Sequence, residues 1–369
     1  MFAYFSGQSP RKTVLYLMMN SRIAGVGHYL PERIVTNDEI APGMGVDSAW
    51  IEERTGIRER RYAKAGEETA TTMGAVAARI AIERAGITPN EVDFIVFATM
   101  SADYLVPGCG VLLQRELGIT SREIGALDIR NQCSGFLYAL SVADKFVKTG
   151  TYRNILVVGA ERQSCNLDFS VRGRDVAMLF ADGAGAVVLQ PTNQPGRGIL
   201  STHLHSDGTH AEELSVINPG SHGNYHFKKY KPQYLNAEND FVHSNPGPFE
   251  PSYLFTGVFN GFLVIKKAFE KFPAVICEAV CANKLTLVSI DLFVLHQANG
   301  RILDYVQRKM NIPDHKLWNN IRHYGNTTSA SIPIALSELW EAGKVHDGHL
   351  LCLAAFGSGF TWASALIRW

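Results

Sequence analysis

Two periods alternate along this chain. Short apolar runs bounded by glycine are followed by stretches in which apolar residues recur every three to four positions, the signature of alternating strands and helices. Ile23 to His28 predicts a strand, and Asn37 and Asp38 are placed to cap a short helix. Asp47 opens a second helix that breaks at Thr55-Gly56-Ile57. Thr71 to Ala85 predicts a long amphipathic helix stopped by Gly86, Asp93 to Met100 a strand, and Pro107 to Leu117 a helix stopped by Gly118. The apolar run ending in Gly125-Ala126-Leu127-Asp128-Ile129 reads as a buried strand. Phe136, Leu137, Leu140, Ala143, Phe146 and Val147 then recur at helical spacing up to Gly150, and further strands are expected at Asn154 to Gly159 and Ala181 to Leu189.

Part of this order comes round again. Thr88-Pro89-Asn90-Glu91-Val92-Asp93 leads into Phe94-Ile95-Val96-Phe97, as Thr286-Leu287-Val288-Ser289-Ile290-Asp291 leads into Leu292-Phe293-Val294-Leu295. The Gly-rich strand after Phe180 has a counterpart in Ala354 to Trp362. Two α/β halves related by an internal duplication account for this, with a seam near Gln190 to Gly198. The expected division is 19–195 and 196–369, with residues 1–18 as an upstream extension outside the fold. Arg11-Lys12 and the apolar residues after it faintly resemble a signal sequence, but the run is minimal and strand pattern begins at once. From about 213 to 252 periodicity is lost among Asn, Pro, Gly, His, Lys and Tyr, which marks a functional lid or a flexible insertion.

Composition narrows the classes. Thirty-five basic residues balance 35 acidic ones, so nothing global points to nucleic acid, and an acidic partner must be met by a local basic patch. No apolar run reaches membrane-spanning length. The six cysteines, at 109, 133, 165, 277, 281 and 352, form no CxxC pair; Cys277 and Cys281 share a helix face with nothing placed to complete a zinc site. Reduced thiols in the cytoplasm fit this pattern.

Three strand ends carry chemistry. Cys133 falls between a strand and a helix, on a sharp turn where backbone N–H groups and the helix dipole are expected to lower its pKa and make it a nucleophile. His296 follows the echoed strand directly, and Asn326 lies in a glycine turn that leads into a helix near Ser329. Ligands gather at the carboxyl ends of strands in α/β sheets, so a duplicated fold could bring Cys133 from one half against His296 and Asn326 from the other.

Cys-Ser-Gly-Phe at 133–136, His-Gln-Ala-Asn at 296–299, Gly-Asn-Thr at 325–327 and Ala-Phe-Gly-Ser-Gly-Phe-Thr-Trp at 355–362 resemble the signatures of β-ketoacyl-acyl-carrier-protein synthase III, of the thiolase superfamily. The resemblance extends from about Ile23 to Trp369 and includes Trp50 to Arg60 and Phe180 to Ala186. It implies a thiolase-like, five-layered αβαβα fold of two pseudo-twofold-related halves with mixed sheets. It also implies an acyltransferase that condenses an acyl-CoA primer with malonyl-acyl-carrier-protein through an acyl-Cys133 intermediate, initiating fatty-acid synthesis. His296 and Asn326 would donate to the malonyl thioester carbonyl, and the backbone N–H groups of Cys133 and Ser358 would form an oxyanion hole. No metal or redox cofactor is called for; acyl-CoA is a substrate.

By the same match Trp50 and Arg172 would sandwich the adenine of CoA, with Arg54, Asn299 and Arg301 along the pantetheine and phosphate path. Lys266, Lys267, Arg301, Arg308 and Lys309 would dock the acidic carrier protein. The family is a homodimer, and Val106 stands at the base of the acyl pocket, contributed across the dimer, where a Phe is frequent; the smaller residue implies room for a longer or branched primer. Other departures are Asn131-Gln132 in place of a small pair before the cysteine, and Ser358 where Gly is common. A relative of secondary metabolism with another acceptor, and a non-catalytic acyl-CoA-binding homologue, are the competing readings; the intact Cys133, His296 and Asn326 argue against the latter.

Overall fold

The computed structural model describes residues 19–216 and 257–369. The upstream extension (1–18) and the insertion from 217 to 252 lie outside the described residues.

Two mixed sheets repeat one plan. In the first the strand order is β1 (Asn20–Tyr29), β7 (Gly183–Thr192), β6 (Ile155–Glu161), β4 (Phe94–Ala98) and β5 (Gly125–Ile129). The second runs β8 (Gly198–Ser206), β13 (Thr361–Arg368), β12 (Leu350–Gly357) and β11 (Leu292–Leu295). In each sheet the first two pairings are antiparallel and the next is parallel, so β1, β7, β6 and β4 answer to β8, β13, β12 and β11. The echoed segments do the same local work. The carboxylate of Asp93 accepts from the N–H groups of Arg153 and Asn154 just before β6, and that of Asp291 accepts from Leu350 N–H at the start of β12.

Helices fill the spaces between and outside the sheets. α5 (Gly135–Lys148) and α10 (Ser331–Glu341) share a core with both sheets: Phe136, Leu140, Ile332 and Leu336 pack with Val96, Val157, Leu353 and Ala363. α3 (Ala70–Arg84) and α4 (Cys109–Glu116) cover the outer face of the first sheet through Ile95, Phe97 and Leu156. α7 (Gly261–Ala282) and α8 (Gly300–Met310) cover the second through Phe293, Leu295 and Cys352. The order is therefore αβαβα. With both faces covered, the central strands bury every residue, which is why they read as continuous apolar runs.

Four local expectations change. β5 is half exposed, with Leu127 and Asp128 on the surface, because it is the outermost strand of its sheet. Thr36, not Asn37 or Asp38, stands at the cap position before the helix Asn37–Ile40 (α1); Asn37 is buried, donating to Ile57 O at 2.7 Å and accepting from Arg60 Nη1 at 2.7 Å. The helix predicted from Pro107 begins at Cys109, with its first N–H groups received by Asp128. The helix after Asn326 begins at Ser331, preceded by a 3₁₀ turn at Thr328–Ala330.

Candidate active site

Cys133 lies in a 3₁₀ turn (Gln132–Ser134) between β5 and α5. The bend is made by Gln132, whose φ of 44° is left-handed, so the departure from a small pair places strain one residue before the nucleophile. Against this turn lies the one that joins β12 to β13. A Cβ on Gly357 would sit 2.5 Å from Cys133 Cβ and 3.1 Å from its Sγ, so only glycine fits there. Ser134 and Thr361 hydroxyls bond at 2.8 Å, and Thr361 Oγ1 donates to Ser358 O at 3.0 Å, which ties the two turns together. The backbone N–H groups of Cys133 and Ser358 both act on the thiol to lower its pKa.

The thiol itself departs from expectation. Burial pushes its pKa up from an ordinary value near 9 to about 12; the nearby Glu161 adds to this, and the two N–H groups pull the other way by less. The turn and helix start are present, but desolvation outweighs them, and the resting nucleophile is a thiol rather than a thiolate.

His296 follows β11 and is fully buried. Its backbone N–H donates to Ala354 O at 2.8 Å, its Nδ1 lies 2.7 Å from Ser331 Oγ, and its buried Nε2 has no partner among the described residues. Burial lowers its pKa from 6.5 to about 3, so the ring is neutral. Asn326 is held by a bridge to the other half: its N–H donates to Leu179 O and its carbonyl accepts from Ala181 N–H. Its Oδ1 accepts from Thr328 N–H at 2.9 Å and its Nδ2 donates to Ala298 O at 3.3 Å, leaving one Nδ2 proton beside the histidine segment. Gly325 makes the turn at φ 63°.

The comparisons with known proteins agree with this geometry. Residues 127–208 match the family model 3-oxoacyl-[acyl-carrier-protein] synthase III, and residues 281–369 match its C-terminal model. A β-ketoacyl-[acyl-carrier-protein] synthase III of Ehrlichia canis is 39% identical over 95% of this chain and 100% of its own. One from Acidiphilium cryptum is 40% identical over 95% of this chain and 100% of its own. The chain belongs to the β-ketoacyl-acyl-carrier-protein synthase III family. The solved 3-oxoacyl-[acyl-carrier-protein] synthase III of Aquifex aeolicus superposes with a TM-score of 0.81 at 35% identity, covering 95% of this chain and 100% of that one. The priming β-ketosynthase of the R1128 polyketide pathway gives 0.81 at 33% identity, covering 95% and 96%. The architecture is accordingly thiolase-like.

The residues expected along the CoA path are held by local contacts. Arg172 is exposed and pairs with Asp168, with Nε at 2.9 Å and Nη2 at 2.7 Å from one carboxylate oxygen. The guanidinium groups over the Trp50 ring are those of Arg54, at 4.1 Å, and Arg174, at 5.3 Å. Asn299 stands immediately before α8. It caps α8, accepting from Arg301 N–H at 2.8 Å, and donates to Arg54 O at 3.1 Å, so it positions both arginines.

Val106 is 83% exposed, beside Leu105 at 83% and Tyr104 at 53%, on the loop before α4. Lys266 and Lys267 on α7, and Arg301, Arg308 and Lys309 on α8, have no carboxylate within salt-bridge distance among the described residues. Phe269 stacks on Tyr305 with centroids 3.8 Å apart, joining the two helices that carry this basic set.

Three buried polar residues went unassigned in the sequence reading. Glu161 closes β6 and accepts from Ser101 Oγ, Ser329 Oγ, Gln163 Nε2 and Met100 N–H, cross-linking the Asn326 turn to the loop that bears Val106. Gln297 staples the histidine segment, donating to Leu295 O and accepting from Asn320 and Ile321 N–H. Ser331 holds His296. A glutamate closing a wholly apolar strand was the available signal for the first, since Glu is almost never buried without partners.

Proposed function

We propose that this chain initiates fatty-acid synthesis in the cytoplasm by condensing an acyl-CoA with malonyl-acyl-carrier-protein. The reading is carried by one arrangement: a neutral, buried His296 with an unpartnered Nε2, set beside Asn326, in a site where two backbone N–H groups meet Cys133. Cys133 sulfur attacks the acyl-CoA carbonyl, the C–S bond to CoA breaks, and the thiol proton leaves with the CoA sulfur. The Cys133 and Ser358 N–H groups receive the oxyanion.

Malonyl-carrier-protein then enters. His296 Nε2–H and Asn326 Nδ2–H donate to its thioester carbonyl, so that the electrons released as carbon dioxide departs rest on a stabilised enolate oxygen. The α-carbon attacks the acyl-Cys133 carbonyl, the new C–C bond forms, the Cys133 C–S bond breaks, and the sulfur regains a proton. The chemistry needs no resident cofactor.

Trp50, with Arg54 and Arg174, forms the surface for the CoA adenine and phosphates, and the five cations of α7 and α8 receive the acidic carrier protein. A second copy of the chain covers the open edge of β5 and the apolar loop at Tyr104 to Val106, which completes the acyl pocket. The likeness to a polyketide priming ketosynthase keeps a second acceptor in view.

The assay offers malonyl-carrier-protein of the fatty-acid system, a carrier protein of secondary metabolism, and malonyl-CoA in parallel. β-Ketoacyl product and equimolar carbon dioxide with the first supports the reading. Turnover confined to another acceptor, or acyl-Cys133 without decarboxylation, contradicts it.

A further inference from the structure

His296 serves the proposed decarboxylation only if its neutral ring carries the proton on Nε2. A neutral imidazole has one N–H, and its other nitrogen accepts, so the partner of Nδ1 decides which form is present. That partner is Ser331, the first residue of α10, itself only 2% exposed.

The hydroxyl of Ser331 has two neighbours among the described residues: His296 Nδ1 at 2.7 Å and the backbone N–H of Gln297 at 3.4 Å. The Gln297 N–H can only donate, so it occupies a lone pair of Ser331 Oγ. The one hydroxyl proton then has a single acceptor within reach, which is Nδ1. If Nδ1 carried the ring proton, both neighbours would donate to Oγ and its hydroxyl proton would be buried without a partner. Leaving a buried donor unsatisfied is the more expensive arrangement. The buried Nε2, without a partner among the described residues, is the complementary fact: it is the place where the ring proton waits for a ligand acceptor.

We infer that Ser331 is a positioning residue that fixes His296 as the Nε2–H tautomer and so arms it as a hydrogen-bond donor to the malonyl thioester. The chain Gln297 N–H to Ser331 O–H to His296 Nδ1 runs from the histidine segment to the start of α10 and back. It also sets ring orientation, since Gln297 is stapled to Leu295 O and to the Asn320–Ile321 backbone. Ser331 touches neither substrate; it acts through the histidine. The inference rests on the reading of His296 as a carbonyl donor in decarboxylation.

The test pairs Ser331→Thr, which keeps a hydroxyl, with Ser331→Val, which has the same shape without one. Full-length protein labelled with ¹⁵N-histidine reports the tautomer directly, with His296→Asn identifying the resonance. The native protein and Ser331→Thr should show a pyrrole-type Nε2 and a pyridine-type Nδ1, and Ser331→Val a mixture or the reverse. In parallel, acylation of Cys133 by acyl-CoA should be alike in the two variants. Malonyl decarboxylation should be about ten- to a hundredfold slower in Ser331→Val than in Ser331→Thr, the scale of a lost or misdirected donor. A native ring protonated at Nδ1, or variants with identical tautomers and identical decarboxylation, overturns the inference. A displaced proton with undiminished decarboxylation leaves the tautomer assignment standing and overturns the donor role of His296 instead.

Discussion

In the proposed reaction Cys133 owes its reactivity to what surrounds the transition state, not to resting as an anion. The thiol is buried and its pKa is pushed to about 12, so the thiolate fraction at neutral pH is small. The sign of the pH dependence follows. A thiol near its ordinary value would show alkylation levelling off around pH 9; Cys133 in the free enzyme should react with iodoacetamide about tenfold faster per pH unit through that range. Mass spectrometry of the Cys133 peptide measures this, and a plateau below pH 9 would show that dipole and N–H donors outweigh burial. A second prediction at this scale concerns Arg174. Arg174→Ala should raise KM for acyl-CoA about three- to tenfold, the worth of a guanidinium–indole contact at a partly exposed site. Arg172→Ala should leave KM unchanged, because that side chain is committed to Asp168. The candidates Cys133 and His296 stand out in the sequence because each follows an apolar strand where helix and strand periods change, and Asn326 because it sits in a glycine turn before a helix. Ser331, Gln297 and Glu161 were not, because a polar residue in an irregular stretch reads as surface until a second segment is packed over it. Arg172 and Arg174 lie two positions apart in a segment without sustained period, so nothing local says which guanidinium turns toward Trp50.

Among elements, the central strands and long helices were readable because both faces of β4 and β6 are covered and every position is apolar. Short elements were not. The cap before the first short helix passed to Thr36 because Asn37 is drawn inward by Ile57 O and Arg60. β5 carries the one misread burial: its apolar sequence anticipates a cover that a single chain does not supply. Leu105, Val106 and Leu127 are exposed on the same edge, with fractions of 83%, 83% and 38%. The proposed second copy, laid there, would account for both the apolar sequence and the exposed surface. Val106→Phe should then shift the preferred primer to shorter acyl chains while the chain remains dimeric by sedimentation. An unchanged profile across an acyl-CoA length series would remove Val106 from the pocket.

At the scale of the whole molecule, duplication puts the nucleophile in one half and its partners in the other. Cys133 meets the Gly357–Ser358 turn of the second sheet, and the Asn326 turn is bridged to Phe180 of the first half. The repeat of strand order, with Asp93 and Asp291 in equivalent bonds, was foreshadowed by the echoed segments; the core that α5 and α10 share between the two sheets was not, since nothing in one helix names what packs over it. Formal net charge is zero. In the proposed docking mode, attraction of an acidic carrier protein comes from the local patch on α7 and α8. Reversing Lys266 and Arg308 to Glu together should raise KM for malonyl-carrier-protein about tenfold or more and flatten its salt dependence, with acylation by acyl-CoA unaffected. Equal losses with both substrates would point to a folding defect instead.

The central claim is that Cys133 carries the acyl group from one half-reaction to the other. A single-turnover experiment tests it most directly. The enzyme is loaded with acyl-CoA and freed of excess, and malonyl-carrier-protein is then added while the mass of the Cys133 peptide and the release of carbon dioxide are followed together. The account predicts a stoichiometric acyl adduct on Cys133 that disappears as β-ketoacyl-carrier-protein forms, and no adduct in Cys133→Ser. An adduct that persists through turnover, or one carried by another cysteine, would contradict it.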